Sequence, residues 1–399
     1  MPSATYRTTA FVEAARRLGI ELTVASEVPS TFEQAQPASL VTLDFSHPDR
    51  AVEQARSFHQ RFRIDAVLGV DDDTVVVAAH VATALGLPGI PVAAARAARD
   101  KHLQRVTLAA QRVRVPAFAL HNFDEPRAAL AAEVEYPCVI KPLRLAASRG
   151  VMRANARREF VAAVDRLEKI LQSCGDASRQ FLVERFVPGP EVALEGLLID
   201  GRLQVLALFD KPDPLDGPFF EETIYVTPSR HSTEIQEAVA HITQDAATAL
   251  RLRTGPIHAE LRLGGRDGVH LIELAARSIG GRCSAALRFG DDRVSPEEIV
   301  LRQALGMELP ALQREARAAG VMMIPIPRAG RLREVQGIAD ARAVSGIDDV
   351  VITAHPGEEL VPFPEGSRYP GFIFARGDTP ARVEAALREA HRRLRFVLS

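Results

Sequence analysis

Two glutamates in one alternating stretch are the residues best placed to do chemistry. Residues 258–277 read HAELRLGGRDGVHLIELAAR, and two short alternating runs around a Gly-rich tetrad predict a β-hairpin. If the turn is centred between residues 266 and 267, Glu260 lies opposite Glu273 on the same face of the sheet. Facing carboxylates need a cation to offset them, and Mg²⁺ accepts carboxylate oxygens while it also holds substrate phosphates. The hairpin predicts a metal site, with an ordinary hairpin carrying two solvated glutamates as the alternative.

The residue types in the two runs also predict which side chains share a face. His258, Glu260 and Arg262 alternate along the first run, and Val269, Leu271, Glu273 and Ala275 alternate along the second. Arg277 follows four residues after Glu273 and precedes a Gly-Gly pair. The stretch therefore offers two candidate metal ligands, a nearby guanidinium and a segment after the hairpin that the glycines make flexible.

A lysine and a loop of small residues, both earlier in the chain, are suited to phosphate binding. Lys141 ends the predicted strand YPCVIKP, and the loop LRLAASRGV follows it. A lysine at a strand end reaches phosphate oxygens as a compact charge, and the backbone N–H groups of a small-residue loop can surround them. Taken alone, each feature also fits a solvated surface lysine or an edge strand that leads into a turn.

The composition is that of an ordinary globular protein of two or three domains. The chain has 399 residues, of which 47% are hydrophobic and 25% charged, and its net charge is −2. With this net charge the chain has no overall positive potential that would attract nucleic acid or an anionic membrane. Cys138, Cys174 and Cys283 lack metal-ligand spacing and fit reduced thiols. Without a long apolar run or an apolar signal core, we expect a cytoplasmic protein with no membrane or nucleic-acid partner.

The order of predicted elements indicates an α/β protein. A helix over residues 8–19, the strand ELTVAS, the strand RIDAVLGVDD and the helix TVVVAAHVATALG predict a parallel, doubly wound first domain. Asp71, Asp72 and Asp73 lie at one of its strand–helix junctions, where helix capping is the favoured interpretation. A single basic helix is predicted from about residue 93 to 117. Short strands, two more helices and an α+β tail follow.

Taken in order, the motifs resemble those of the ATP-grasp carboxylate–amine ligases. The matching elements are Arg99-Asp100-Lys101, VIKP, SRGV, VERFVPGPE, HAELR and IELAAR. The resemblance implies an ATP-grasp fold of the α/β class, beginning with a Rossmann-like pre-ATP-grasp domain at residues 1–95. It further implies a two-subdomain ATP-grasp domain with antiparallel sheets at 96–310, including a lid at about 115–188. A C-terminal α+β subdomain at 311–399 completes the expected fold.

The resemblance also implies a site for ATP and Mg²⁺, with Mn²⁺ as an alternative ion. The residues implied to bind the nucleotide through phosphate, lid, adenine or ribose contacts are Lys101, Lys141, Ser148, Arg149, Gly150, Glu184, Arg185, Phe186, Val187 and Glu191. Glu260 and Glu273 are the implied metal ligands, in agreement with the hairpin argument. The implied catalytic residues are Arg277 and Lys141. The substrate-binding candidates are Glu222, Ser278, Gly280 and Gly281.

Two departures from the usual pattern of the family indicate which of its members this chain resembles most. Most of the family has Glu-x-Asn at the second metal position, whereas this chain has Glu273-Leu274-Ala275, and the lid loop carries Ala146 and Ala147 where glycines are common. The Glu-x-x-x-Arg spacing without asparagine is similar to the L-amino acid ligases that make dipeptides. The segments DKPDPLDGPFFEETIYVTPS and RSIGG are similar to them as well.

The implied reaction is ATP-driven amide formation between two small molecules, most simply amino acids, through an acyl phosphate. A homodimer is an expectation from similar proteins. One alternative keeps the fold but changes the acceptor, as in a carboxylase-like or purine-pathway enzyme. Another is a non-catalytic nucleotide-binding module. Retention of both glutamates, both lysines and Arg277 favours the ligase, because a pure binder needs no guanidinium for the transition state.

Overall fold

The protein is described by a computed structural model that covers residues 5–399. Its first part is α/β, with elements α1 (Thr8–Leu18), β1 (Val24–Ser26), β2 (Leu40–Thr42), α2 (Pro48–His59), α3 (Val75–Leu85), α4 (Val92–Arg99) and α5 (Lys101–Ala110). β1 and β2 pair in parallel. Left-handed glycines end α1 and α3, at Gly19 and Gly86, as expected for helix C-termini.

Two of the predicted elements in this part are wrong. Residues 63–70 of the predicted strand RIDAVLGVDD form no strand, so in the described part of this region the parallel sheet has only β1 and β2. The N–H groups of Val70 and Asp71 donate to the hydroxyl of Thr74 (3.1 and 3.3 Å). The predicted single basic helix is broken at Asp100, whose extended backbone separates α4 from α5. The Asp100 carboxylate accepts hydrogen bonds from the N–H groups of residues 102 and 103, which starts a new helix.

A small antiparallel subdomain follows and covers one side of the cleft described below. It contains β3 (Phe118–Asn122), α6 (Arg127–Glu133), β4 (Cys138–Lys141), β5 (Met152–Ala154), α7 (Arg157–Ser173) and β6 (Gln180–Arg185). Its strands are ordered β3-β6-β4-β5. The buried face of α7, with Phe160, Val164 and Leu167, packs into the same core as β4 and β6.

The remaining elements build an eight-stranded antiparallel sheet and its surroundings. They are β7 (Glu191–Ile199), β8 (Arg202–Lys211), β9 (Ile224–Thr227), α8 (Thr233–Ala249), β10 (Gly255–Leu263), β11 (Val269–Ala275), α9 (Pro296–Ala304), β12 (Ala318–Met323), β13 (Gly330–Gln336), α10 (Ile338–Arg342), β14 (Ile347–Ile352), β15 (Glu359–Leu360), β16 (Gly371–Gly377), α11 (Pro380–Arg393) and β17 (Arg395–Leu398). The order in the large sheet is β11-β10-β7-β8-β9-β12-β16-β14. β13, β15 and β17 form a separate three-stranded sheet.

The expected α/β class with central antiparallel sheets and a C-terminal α+β region is confirmed. Strands β12, β14 and β16, all beyond residue 310, continue the same large sheet that contains the predicted hairpin β10–β11. One face of the hairpin, with Ala259, Leu261, Leu271 and Leu274, packs into the core formed with α4, α5 and α8. The domain limits at residues 95 and 310 stay predictions.

Glu260 pairs with Glu273 in the hairpin, as predicted from a turn centred between residues 266 and 267. A β-bulge, however, shifts the pairing of the strands by one residue between this pair and the turn. Three pairs from His258–Ala275 to Glu260–Glu273 have the predicted register, and beyond them Leu261 pairs with Leu271. One extra residue, Ile272, is therefore accommodated in β11. As a result, Val269 and Leu271 face the core while Glu273 and Ala275 line the cleft, so the prediction that these four share a face is wrong.

Candidate active site

A cleft of about 270 Å³ lies between the small subdomain, the large sheet and the N-terminal region. The predicted site residues that line it are Lys101, Lys141, Ser148, Glu184, Arg185, Phe186, Val187, Glu191, Glu222, Glu260, Glu273, Arg277, Gly280 and Gly281. Three predicted residues, Arg149, Gly150 and Ser278, are not among its lining residues. The fold thus brings predicted residues as far apart in the chain as Lys101 and Gly281 into one site.

The facing glutamates of the hairpin are each accompanied by cations. Lys101 Nζ lies 3.2 Å from Glu273 Oε1. Glu260 Oε1 lies 3.7 Å from Lys211 Nζ and 3.4 Å from His258 Nε2. Burial alone would raise the pKa of Glu260, but Lys211 and His258 hold that pKa well below its usual range. Both carboxylates are partly exposed to the cleft, at 23% for Glu260 and 30% for Glu273, so they remain accessible to a bound ion.

Lys211 is the centre of a buried cluster that the sequence analysis did not identify. Its ammonium lies 2.6 Å from Glu191 Oε1 and 2.5 Å from Glu222 Oε1. The Tyr225 hydroxyl also donates to Glu222. Burial alone would lower the pKa of Lys211, but Glu191 and Glu222 raise it, so the ammonium stays charged. Oxygens of Glu191, Glu222 and Glu260 lie within 4.8 Å of one another, a donor set of the type that Mg²⁺ takes.

Lys141 lies at the end of β4, where it joins a second buried ion cluster. Its Nζ lies 2.5 Å from Glu184 Oε2, and Arg105 Nε lies 2.6 Å from Glu184 Oε1. The side chains are at most 6% exposed. Burial alone would raise the pKa of Glu184, but the two cations lower it, so the carboxylate is ionised. This arrangement leaves one net positive charge beside the cleft.

The segment after β6 contributes backbone groups and an aromatic ring. The N–H of Phe186 donates to the carbonyl of residue 137, whereas the N–H of Val187 has no acceptor among the residues that the structure describes. The guanidinium of Arg153 lies 4.0 Å from the centre of the Phe186 ring. The resemblance implies that Glu191 binds the ribose hydroxyls. Its second oxygen accepts from Arg262 Nε at 3.0 Å, so both of its carboxylate oxygens already have partners.

The SRGV loop divides between the cleft and the C-terminal region. Ser148 lines the cleft, with a left-handed backbone (φ 53°). Arg149 and Gly150 instead contact the C-terminal region, because Arg149 Nε donates to the Glu365 carbonyl (2.8 Å) and Gly150 N donates to that of residue 364 (3.0 Å). Arg166 adds a two-point ion pair to the Glu365 carboxylate at 2.6 and 2.8 Å. The loop is therefore fastened to the segment before β16.

Arg277 is fixed by the N-terminal region. Its Nη2 lies 2.7 Å from Asp72 Oδ2, and its Nη1 donates to the Ser278 carbonyl at 3.0 Å. Arg7 Nη2 donates to the same carbonyl at 2.7 Å and also to the carbonyl of Ile279. The Ser278 side chain is thus not a lining group, although its carbonyl orders the two arginines. Gly280 and Gly281 line the cleft as predicted.

Several expectations about individual residues need correction. Asp71–Asp73 do not cap α3, since Asp72 pairs with Arg277 and Asp73 with Arg99. His258 was not among the predicted site residues, yet it lines the cleft, and its ring lies between Glu195 (3.6 Å) and Glu260 (3.4 Å). Lys211 carried one weak signal, since it directly follows the apolar run VLALF and Asp210 at the end of a strand, and a lysine is buried only when it is paired.

Comparisons with known proteins agree with this architecture. Three family descriptions match in succession: ATP-grasp N-terminal domain over residues 12–89, ATP-grasp domain over 134–286, and L-amino acid ligase C-terminal domain 2 over 322–399. A solved L-amino acid ligase from Bacillus licheniformis superposes with a TM-score of 0.82 and 27% identity, covering 98% of this chain and 95% of that one.

Two curated relatives are also ligases by name. Dapdiamide A synthase of Enterobacter agglomerans is 27% identical over 357 residues, covering 86% of this chain and 82% of the relative. Alanine–anticapsin ligase of Bacillus subtilis strain 168 is 28% identical over 269 residues, covering 59% of this chain. The match spans only 56% of that relative's length. No helix in the described residues is long and apolar enough to cross a membrane.

The three successive domain matches and the solved L-amino acid ligase show that this chain is an ATP-grasp protein that carries the C-terminal domain 2 of the L-amino acid ligases.

Proposed function

We propose that this protein uses ATP to join the carboxylate of one amino acid to the amine of another. The observation that carries the proposal is the charge arrangement of the cleft. Three cationic side chains, Lys101, Lys141 and Arg277, line one space together with the facing carboxylates of the hairpin. A fourth, Lys211, is buried behind Glu260, with its Nζ 3.7 Å from the Glu260 carboxylate. Phosphoryl transfer is mostly positioning and neutralisation of charge, and this cleft supplies both.

The nucleotide is proposed to lie along the small subdomain. The N–H of Val187, which has no acceptor in residues 5–399, and the apolar ring of Phe186 suit an adenine base, which needs a hydrogen-bond donor and a flat surface. The side chains of Lys101 and Lys141 approach the cleft from opposite elements and are proposed to hold phosphate oxygens. Ser148 is the group of the SRGV loop that would reach the phosphates.

Glu260 and Glu273 are proposed to hold the divalent ion. Both are carboxylates that line the cleft, and their oxygens are hard donors of the kind Mg²⁺ prefers. When bound, such an ion neutralises phosphate charge and polarises phosphoryl oxygens. Glu191 and Glu222 are committed to Lys211 at 2.6 and 2.5 Å, so this ammonium provides a fixed positive charge where the other carboxylates converge.

The proposed chemistry has two steps. An oxygen of the first substrate's carboxylate attacks the γ-phosphorus, the bond to the β–γ bridging oxygen breaks, and ADP leaves. The amine of the second substrate then attacks the acyl carbon, loses its proton, and expels phosphate to leave an amide. Arg277 and Lys211 are proposed to stabilise negative charge on the transferred phosphoryl group, and the N–H groups around Gly280 and Gly281 to hold a substrate carboxylate.

The test is a matrix of paired amino acids incubated with the protein, ATP and Mg²⁺, scored by phosphate release and by product mass. We expect phosphate release that depends on both amino acids and a product equal in mass to their sum minus water. Glu273→Ala is the matched control and should release no phosphate. Phosphate release with bicarbonate in place of one amino acid would support a carboxylase-like enzyme instead. Nucleotide binding with no turnover on any pair would support a non-catalytic module.

A further inference from the structure

Three consecutive aspartates, residues 71–73, belong to the N-terminal region, and each has a different environment. Asp71 and Asp72 line the cleft, whereas Asp73 does not. Asp72 is paired with Arg277 and Asp73 with Arg99. Asp71 lines the cleft but forms no ion pair in the described chain. Because adjacent Cα atoms are about 3.8 Å apart, Asp71 lies close to the Asp72–Arg277 pair at the proposed reaction centre.

The two carboxylate oxygens of Asp71 differ in their partners. Oδ1 accepts a hydrogen bond of 2.8 Å from the Thr74 hydroxyl. Oδ2 is buried and has no hydrogen-bond partner among residues 5–399. The loop is held in place, because the same hydroxyl accepts from the N–H groups of Val70 and Asp71. A hydrogen-bonded loop therefore places one carboxylate oxygen without a described partner beside the cleft.

An unpaired buried carboxylate oxygen is unfavourable unless a donor reaches it, and the penalty is largest for a charged group. Burial also raises the pKa of Asp71, which means that a cationic donor would be needed to favour the ionised form. Arg7 acts in the opposite direction and lowers this pKa, but its Nη2 is occupied by the carbonyls of residues 278 and 279.

A single oxygen is a poor site for a metal ion, which takes several oxygen ligands, and the neighbouring aspartates are held by arginines. An ammonium group needs only a few directed acceptors and carries the required charge. The proposed function, on which this inference rests, brings two ammonium-bearing molecules into the same cleft.

We infer that Asp71 is a substrate-binding residue whose Oδ2 accepts a hydrogen bond from the ammonium group of an amino-acid substrate. The ammonium can belong to the amino acid that is activated or to the one that attacks. The ammonium groups of the two amino acids have the same chemistry. An assay that replaces the attacking amino acid by another nucleophile distinguishes them.

The test compares wild type with Asp71→Asn, which keeps the size of the side chain and a hydrogen-bonding partner for Thr74. Asp73→Asn is the matched control, because Asp73 is two residues away, 68% exposed and not part of the cleft lining. In one assay hydroxylamine replaces the second amino acid and captures the acyl phosphate as a hydroxamate. In the other both amino acids are present and the amide product is measured. Melting curves verify that all variants are folded.

A charged hydrogen bond of this kind is expected to change a KM by about tenfold to a hundredfold. If Asp71 binds the activated amino acid, Asp71→Asn raises the KM of that substrate in the hydroxamate assay. If it binds the attacking amino acid, hydroxamate formation is unchanged and the KM of the acceptor rises in the amide assay. Asp73→Asn changes neither.

Unchanged KM values for both substrates in a folded Asp71→Asn protein would overturn the inference. A lower kcat with both KM values unchanged would overturn it too, since it would indicate a role in the reaction step rather than in binding. Wild-type protein that forms no hydroxamate with any amino acid would instead contradict the proposed function itself.

Discussion

Replacing Asp72 by asparagine removes the carboxylate charge that faces Arg277, and the structure gives the size of the effect. Burial alone would raise the pKa of Asp72, but Arg277, with Arg99 and Lys101 behind it, lowers it from 3.8 to about 2. That drop corresponds to about 2.5 kcal/mol of folding free energy. The two paired side chains are only 13% and 15% exposed, so solvent screens the interaction little.

The pH dependence of this contribution has a definite sign. The folded-state pKa of Asp72 is depressed, so its stabilisation is fully present above about pH 4, the ordinary pKa of an aspartate, and is lost as pH falls toward 2. At pH 7 we expect Asp72→Asn to lower the unfolding free energy by about 2 to 3 kcal/mol. The difference from wild type should shrink when both are measured below pH 4.

The assay is urea unfolding of wild type, Asp72→Asn and Asp73→Asn, followed through the first cooperative transition at pH 7 and again at lower pH. The control is informative because Asp73 is 68% exposed, and its ion pair with Arg99 is expected to contribute at most about 1 kcal/mol. Equal stability of Asp72→Asn and wild type at pH 7 would refute the view that this pair anchors Arg277.

Further predictions concern the nucleotide, the reaction step and the lid loop. Glu273→Ala should abolish ATP turnover at millimolar Mg²⁺, and full activity would remove the metal assignment. Arg277→Ala should keep nucleotide affinity in a titration and reduce kcat by about 10³ or more, whereas unchanged turnover would count against its role. Lys141→Met should weaken ATP binding measured by calorimetry, and an isotherm like that of wild type would be the contrary result. Glu365→Gln, which weakens the ion pair to Arg166, should increase ADP release per amide formed, because a loosened loop admits water to the acyl phosphate; an unchanged ratio would contradict this.

The hairpin shows how far local sequence reasoning reaches. Alternation and the Gly-rich turn were enough to predict that Glu260 faces Glu273, and the structure has this pair. The same reasoning placed Leu271 on the face of Glu273, which is wrong because of the bulge at Ile272. A strict period of two has no place for an extra residue, yet the bulge is what lets Leu271 pack in the core while Glu273 reaches the cleft.

The ion-pair partners of the site residues could not be predicted from the sequence, for a different reason. Asp72 and Arg277 are 205 positions apart, and no local pattern indicates that a loop from the N-terminal region crosses to the hairpin exit. Lys211 was overlooked because it ends a strand whose neighbours are unremarkable. Its role emerges only when β8 pairs with β7 and brings it to Glu191. Residues 63–70 have the apolar run of a strand but do not form one, and the N–H of Val70 donates to the Thr74 hydroxyl instead of to a neighbouring strand.

The most direct test of the central claim follows one oxygen atom. An amino-acid pair that yields product is supplied with the activated carboxylate labelled with ¹⁸O, and the released phosphate is analysed by mass spectrometry. A ligase that passes through an acyl phosphate must transfer one ¹⁸O atom to each phosphate, and the account predicts this result. Phosphate released without the label would contradict it, because the carboxylate would then not have attacked the γ-phosphorus.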